Sequence, residues 1–149
     1  MDVTLHRAHP LDLDTRTLYL ILQLRVDVFV VEQQCAYPEL DGRDLEPDAL
    51  WLWASPPDTG TVLATLRVLR DADGTARIGR VATAVAGRSG GVASRLMREA
   101  LAAIDALGAP GTVLEAQSQL AGWYARFGFA PAGEEYVEDG IPHVPMRRI

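Results

Sequence analysis

A glycine-rich segment between a predicted strand and a predicted helix has the residue types that bind a phosphate group. The strand ends near Thr83, glycines follow at positions 87, 90 and 91, and an amphipathic helix begins near Val92. Glycines allow close approach of the backbone and positive φ angles, and a helix N-terminus offers unpaired N–H groups to an anion. Arg88 adds a charged donor that can bind a second phosphate oxygen. The segment therefore predicts an anion-binding site.

The spacing of these glycines separates the segment from two common nucleotide-binding motifs. A Rossmann loop needs the pattern G-x-G-x-x-G, which is not matched here, and a Walker loop ends in Gly-Lys-Ser/Thr. The chain has no lysine, because all 14 of its basic residues are arginine. Hydrolysis of a nucleoside triphosphate is therefore disfavoured, and a strand-to-helix turn that binds nothing is the structural alternative.

Two motifs resemble those of the GNAT (Gcn5-related) N-acetyltransferases. The sequence Arg88-x-x-Gly91-x-Ala93 resembles their Q/R-x-x-G-x-G/A motif for acetyl-coenzyme A, and residues 123–129, with Tyr124, resemble the aromatic signature after their fifth strand. Further segments narrow the resemblance to the ElaA-like subfamily: residues 24–37, 39–44 and 138–143. Together these matches cover most of the chain.

The resemblance implies that acetyl-coenzyme A is the co-substrate and that no metal takes part. In this family two strands, here 76–83 and 112–116, separate at their ends, and pantetheine binds between them along the backbone of Val81 and Thr83. Gln117 stands where many members place an asparagine, so its contact with pantetheine stays open. The implied cofactor-binding residues are Val81, Ala82, Thr83, Arg88, Ser89, Gly90, Gly91, Val92, Ala93, Ser94, Gln117 and Tyr124.

Acetyl transfer to an amine needs a proton donor for the departing thiolate and a base for the attacking amine. By resemblance Tyr124 lies beside the thioester sulfur and is the predicted acid, although its hydroxyl would serve equally to position the cofactor. A backbone N–H of Val81 or Thr83 is the expected oxyanion donor. The predicted catalytic residues are Tyr124, His143 and Glu32. Glu115 or a water chain is an alternative base, while histidine is the side chain that titrates nearest neutrality.

The predicted acceptor is a primary amine on a small molecule or a peptide. The residues assigned to the acceptor side are Phe29, Glu32, Gln33, Cys35 and His143. Carboxylates are concentrated in the same region, at Glu32, Glu39, Asp41, Asp44, Glu46 and Asp48. Such a field attracts a cationic amine, but an acidic solvated loop explains the same composition. Because a lone cysteine is usually inert, we expect direct attack in a ternary complex.

Length and composition fit a single domain over residues 1–149. The chain is 48% hydrophobic and long enough to bury a core, and its net charge of −6 argues against nucleic acid as a partner. Its apolar stretches are too short to span a bilayer, its first residues lack a secretory signal pattern, and one cysteine cannot form an internal disulfide. We expect a cytoplasmic monomer or homodimer with no membrane partner.

The elements that must position these residues follow from periodicity and turn signals. A first helix, capped by Asp12 or Asp14, is apolar on most sides and is expected to be largely buried. The predicted strands are 3–8, 50–53, 61–70, 76–83, 112–116, about 132–137 and 143–148, and the other helices are 92–107 and 119–127. This order predicts an α+β domain with a mixed sheet. The resemblance implies a GNAT-like fold with about six to seven mostly antiparallel strands, a central parallel splayed pair and flanking helices.

Two other functions stay open at this point. The sequence from Arg25 to Phe29 also resembles acyl-homoserine-lactone synthases, which share the fold but are usually longer chains. A non-catalytic module that binds acetyl-coenzyme A would keep the glycine-rich segment without turnover. The presence of Tyr124 argues against such a module.

Overall fold

Eight strands form one mixed sheet in the computed structural model, which describes residues 2–149 and leaves Met1 outside the described residues. The strands are β1 (Thr4–Ala8), β2 (Leu50–Ser55), β3 (Ala64–Arg70), β4 (Ala76–Thr83), β5 (Thr112–Gln117), β6 (Ala130–Pro131), β7 (Tyr136–Glu138) and β8 (Ile141–Arg148). Their order in the sheet is β1-β2-β3-β4-β5-β8-β6, with β7 paired to β8. The α+β class is confirmed. The sheet has eight strands rather than six to seven because the segment near 132–137 is replaced by two short strands, β6 and β7.

In the described part of the chain, three α-helices flank the sheet: α1 (Thr15–Val26), α2 (Val92–Ala106) and α3 (Ala121–Ala125). Asp14 caps α1, because its Oδ1 accepts a 2.7 Å hydrogen bond from the N–H of Thr17. After Val26 the helix widens into a π-helical turn, Asp27–Glu32. Among residues 2–149, no helix is long and apolar enough to cross a membrane.

The prediction that the first helix is largely buried is wrong. Within α1 only Ile21, Leu24 and Arg25 are buried, while Tyr19 is 66% exposed. The physical reason is that the helix covers the sheet from one side only, so its outer apolar residues meet solvent. Apolar residues on several faces of a helix therefore do not guarantee burial, since exposed single hydrophobic residues are common.

The two faces of β3 are buried by different helices. Leu66 and Val68 pack in one apolar cluster with Leu96 and Ile104 of α2. Alternate residues of a strand face opposite sides, so Arg67 points to the other face, which α1 covers. The sheet is thus apolar toward α2, and it carries buried charge toward α1.

The parallel neighbours β4 and β5 separate along their length. They pair only at Ala76 with Thr112 and at Arg77 with Val113 in the described chain. β5 instead pairs along its whole length with the antiparallel strand β8. The later parts of β4 and β5 therefore open into a wedge, which confirms the predicted splayed pair.

Candidate functional site

Two cavities meet at the wedge between β4 and β5. The larger, of about 700 Å³, is bounded by β4, β5, the π-helical turn and the β7–β8 hairpin. The smaller, of about 520 Å³, lies against the start of α2 and against α3. Residues common to both walls are Val81, Thr83, Arg88, Leu120 and Tyr124. The end of β4 and Tyr124 therefore lie where the two cavities join.

The predicted site residues come together around these cavities. The larger cavity is lined by Phe29, Glu32, Gln33, Cys35, Ala82, Gln117 and His143. The smaller is lined by Ser89, Gly91, Val92, Ala93 and Ser94. Among the predicted residues that the structure describes, only Gly90 lines neither cavity. Residues that are far apart in sequence thus line two adjoining cavities. Their individual roles stay predictions.

The turn before α2 presents backbone N–H groups to the smaller cavity. Ser89 and Gly91 have positive φ angles of 65° and 73°. Gly91 is the N-cap of α2, and no side chain of the described residues caps it, so the first N–H groups of the helix are available to an anion. The expectation that all three glycines supply positive φ is wrong. Gly87 is closely packed instead, since a Cβ there would lie 3.1 Å from the Leu63 carbonyl oxygen, which is tighter than an ordinary contact.

Arg88 and Glu32, which we predicted to contact different substrates, contact each other. The two guanidinium Nη atoms donate to the two carboxylate oxygens at 2.7 Å each, and Arg88 Nε donates to the Thr83 carbonyl at 3.0 Å. The hydrogen bonds from Arg88 lower the pKa of Glu32. A carboxylate with a lowered pKa is a weaker base, so the geometry disfavours Glu32 as the general base.

Tyr124 is enclosed by aromatic side chains at the junction of the cavities. Its ring makes edge contacts with Trp123 and Phe129, at centroid distances of 4.9 and 6.2 Å, and the residue is 7% exposed. Burial raises the pKa of Tyr124 to about 12. The phenol is therefore protonated at neutral pH and is a weaker acid than a free tyrosine. It can donate a hydrogen bond, and it can give its proton to a thiolate where burial raises the pKa of that thiolate as well.

His143 has one ring nitrogen committed to the backbone. Nδ1 lies 2.8 Å from the Ile141 carbonyl oxygen, and because a carbonyl can only accept, we assign the proton of the neutral ring to Nδ1. The other nitrogen, Nε2, then carries a lone pair. Tyr136 stacks on the ring at 5.7 Å and donates its hydroxyl hydrogen to Glu115 at 2.8 Å. This arrangement suits a proton acceptor whose orientation is fixed.

Four of the acidic residues after the π-helical turn are paired with arginines and so are not free to attract a cationic acceptor, which corrects that expectation for Glu39, Asp41, Asp44 and Glu46. Glu39 and Asp44 accept from Arg25 at 2.6 and 2.9 Å, and all three side chains are buried. Asp41 and Asp44 also pair with Arg67, at 2.7 and 3.2 Å. The alternative of a solvated acidic loop is wrong for Glu39 and Asp44, because these carboxylates belong to a buried ion-pair network.

The arginines of this network favour the ionised form of its carboxylates. Burial raises the pKa of Asp41, but the hydrogen bonds and charge of Arg67 outweigh it and lower that pKa to about 2. Burial likewise opposes ionisation of Asp44, and hydrogen bonds from Arg25 lower its pKa nonetheless. Both carboxylates are therefore charged at neutral pH, so they match the arginines that face them.

Three residues that line the larger cavity had no predicted role, namely Tyr37, Arg67 and Arg80. A signal for Arg67 exists, because an arginine between Leu66 and Val68 in an apolar strand must find carboxylate partners when it is buried. Arg80 gives no such signal. Its φ angle of 53° cannot be deduced from an arginine in a strand-like sequence.

Comparisons with known proteins agree with this geometry. A family model described as an acetyltransferase (GNAT) domain matches residues 49–149. A UPF0039 protein of Mycobacterium tuberculosis is 46% identical over 151 residues, which cover 99% of this chain and 94% of the relative. The crystal structure of an acyl-CoA N-acyltransferase from Pseudomonas aeruginosa has a TM-score of 0.92 and 42% identity, and covers 99% of this chain and 100% of that one. The crystal structure of Escherichia coli ElaA has a TM-score of 0.91 and 36% identity, with the same coverage.

Proposed function

Because the chain belongs to the GNAT acetyltransferase family, in its ElaA-like subfamily, we propose that it transfers the acetyl group of acetyl-coenzyme A directly to a primary amine. The observation that carries the proposal is the open wedge between β4 and β5, which continues into the uncapped start of α2. One cavity then receives pantetheine and pyrophosphate, and the other receives the acetyl group and the amine. The acceptor is a small molecule or a peptide.

The cofactor is held mainly by the backbone in this proposal. Beyond Arg77, the groups of β4 that face β5 have no strand partner among the described residues, so an extended pantetheine arm can pair with them. The N–H groups of Val92, Ala93 and Ser94 bind the pyrophosphate at the positive end of α2. A hydrogen bond to a charged oxygen contributes about 1.5–3 kcal/mol, so several such bonds suffice to anchor a coenzyme.

The chemistry is divided among three groups of this chain. Acetyl-coenzyme A supplies the acyl carbon and a thiolate leaving group. His143 takes the proton of the attacking amine at Nε2, and the N–H of Val81 or Thr83 donates to the oxyanion that develops on the carbonyl. Tyr124 then gives its proton to the departing thiolate. Glu32, Phe29, Gln33 and Cys35 surround the amine in this arrangement.

The proposal is tested by calorimetric titration of the purified protein with acetyl-coenzyme A. We expect micromolar affinity for acetyl-coenzyme A, and no comparable binding of ATP or NAD at the same concentrations. An absence of binding, or equal binding of the three nucleotides, would refute the proposed function.

Substitutions at the phosphate-binding turn are expected to weaken this binding. Gly91→Glu places a negative charge beside the phosphates and forces a side chain onto a φ of 73°. Arg88→Ala removes a guanidinium that has further N–H groups for a phosphate besides those bonded to Glu32 and Thr83. Each change should raise the Kd for acetyl-coenzyme A by at least about tenfold, as expected for loss of one charge-assisted hydrogen bond. The same titration measures the effect.

Gly108→Glu is the matched control for this prediction. Gly108 has a similar φ of 70° and, like Gly91, open space where a Cβ would point, but it follows the other end of α2. Its substitution should leave the Kd unchanged. Wild-type affinity in both Gly91→Glu and Arg88→Ala would contradict the assignment of the turn.

A substitution at His143 should slow the chemical step. With an acceptor amine found by screening, His143→Gln is expected to lower kcat by about a hundredfold, because glutamine cannot take the proton of the attacking amine. His6→Gln is the control, because His6 binds Ser55 and stacks on Trp53 outside the cavities. An unchanged kcat in His143→Gln would favour a water chain as the base.

A further inference from the structure

Arg80 has a backbone conformation that arginine rarely adopts. Its φ angle is 53°, in the left-handed region where a Cβ crowds the neighbouring carbonyl oxygen. The residue lies opposite a break in register, since Thr65 pairs with Ala82 while Arg67 pairs with Gly79. Two residues of β4 therefore face one residue of β3, and β4 has a β-bulge at Arg80.

The side chain of Arg80 is fixed by the loop that precedes β2. Its Nε lies 2.9 Å from Oε1 of Glu39, and its Nη2 donates to the Glu39 carbonyl oxygen at 3.0 Å. Nη2 also donates to Asp41 at 3.3 Å, and the guanidinium lies 5.6 Å from the ring centre of Tyr37. Glu39 is itself 4% exposed and held by Arg25. These contacts oppose any relaxation of Arg80 toward an extended conformation.

The bulge is placed where the wedge opens. β4 and β5 stop pairing at Arg77, and Arg80 lies three residues further along β4. A bulge bends its strand and redirects the peptide groups beside it. The next residue is Val81, which lines both cavities and whose N–H is one of the two oxyanion donors in the proposed function.

We propose that Arg80 is a positioning residue whose ion pair with Glu39 holds the bulge, and so aims the N–H of Val81 at the carbonyl oxygen of the bound thioester. The inference rests on the proposed function. Arg80 contacts neither the amine nor the thioester in this account, and it acts only through the backbone that follows it. The ion pair between Arg80 and Glu39 therefore controls the hydrogen bond that the N–H of Val81 donates to the thioester carbonyl.

Two substitutions at Arg80 separate the effect of losing the ion pair from the effect of losing the positive φ angle. Arg80→Ala removes the ion pair and disfavours a positive φ, whereas Arg80→Gly removes the same ion pair but adopts a positive φ freely. The readout is the ¹³C resonance of acetyl-coenzyme A labelled at the acetyl carbonyl, which moves downfield when that oxygen accepts a hydrogen bond. No acceptor amine is needed, and calorimetry measures the affinity of each variant.

We expect a downfield shift on binding to the wild-type protein. Arg80→Ala should lose most of this shift, and Arg80→Gly should keep most of it. Both variants should bind acetyl-coenzyme A within about tenfold of wild type, because the pyrophosphate contacts are untouched. Glu39→Gln, which keeps the shape of the side chain and removes its charge, should lose part of the shift and provides the test if Arg80→Ala does not fold.

Arg43→Ala is the matched control, since Arg43 pairs with Glu46 and Asp71 and its loss leaves the bulge intact. Its carbonyl shift should equal that of wild type. An unchanged shift in Arg80→Ala and Glu39→Gln, or equal losses in Arg80→Ala and Arg80→Gly, would overturn the inference. A wild-type complex without a downfield shift would overturn it as well, while leaving the proposed function intact. A wild-type protein that does not bind acetyl-coenzyme A would refute the proposed function itself.

Discussion

Tyr124→Phe is expected to lower kcat for acetyl transfer by about 10²–10³ and to leave the Kd for acetyl-coenzyme A nearly unchanged. The substitution keeps the ring and therefore its packing against Trp123 and Phe129. It removes only the hydroxyl, which is protonated at neutral pH because its pKa is about 12 in its buried position and near 10 even in an exposed tyrosine. Steady-state kinetics with the best acceptor amine measure kcat, and calorimetry measures the Kd.

The two roles open to the Tyr124 hydroxyl give different results in these measurements. A general acid acts in the transition state, so its loss lowers kcat, whereas a group that only positions the cofactor affects binding. A weaker Kd with unchanged kcat would therefore assign the hydroxyl to cofactor binding. Tyr19→Phe is the control, because Tyr19 is 66% exposed on α1 and lines neither cavity among the described residues. An unchanged kcat and Kd in Tyr124→Phe would reduce the residue to a packing role.

The parts of the fold that the sequence predicts well are those with local signals. The stretch 76–83 follows a turn at 71–74 and matches β4, while Gly108 and Pro110 separate α2 from β5. Turn residues act through their own backbone preferences, so their positions can be found without knowledge of neighbours. The prediction that α1 is largely buried was wrong because burial depends on how many elements pack around a helix. The sequence of the helix itself does not contain that information.

The residues of the candidate site could be found through motifs, but their partners could not. Residues 88–93 and Tyr124 match family patterns, and the structure places all of them except Gly90 around the same cavities. The pairing of Arg88 with Glu32, and of Arg67 with Asp41 and Asp44, joins distant segments. Composition gives the number of charged residues but not which of them form ion pairs. These carboxylates were therefore expected to be unpaired. The positive φ of Arg80 also depends on tertiary contacts, and it could not be predicted because arginine rarely adopts this conformation.

The buried network also contributes to the stability of the face of the domain that α1 covers. Arg25 is 1% exposed and contacts Glu39, Asp44 and the ring of Trp51. The network connects α1 with the loop before β2, and through Arg67 and Arg80 with β3 and β4. Removal of one member leaves buried charges without their partner, which is more destabilising than loss of a surface ion pair.

Arg25→Ala is therefore expected to lower the free energy of unfolding by about 3–5 kcal/mol, and the Tm by roughly 6–20 °C. Urea unfolding at pH 7 and a thermal melt followed by circular dichroism measure the two quantities. Arg148→Ala is the control, because its partner Asp105 is 63% exposed and a surface pair contributes only about 0–1 kcal/mol. Arg25→Lys keeps the charge but not the paired donors, so its loss should be intermediate. Equal stability of Arg25→Ala and Arg148→Ala would contradict the role of the network.

The pH dependence of stability gives this prediction a second test. The pKa of Asp41 is lowered from 3.8 to about 2, so its ion pair stabilises the folded state above pH 3.8 and this contribution disappears as the pH falls toward 2. The lowered pKa of Asp44 acts in the same direction. Hydrogen bonds from Arg25 lower the pKa of Asp44, so Arg25→Ala should lose less stability between pH 5 and 2 than wild type does. Parallel stability curves over this range would show that Arg25 stabilises the domain by packing alone and not through its charge.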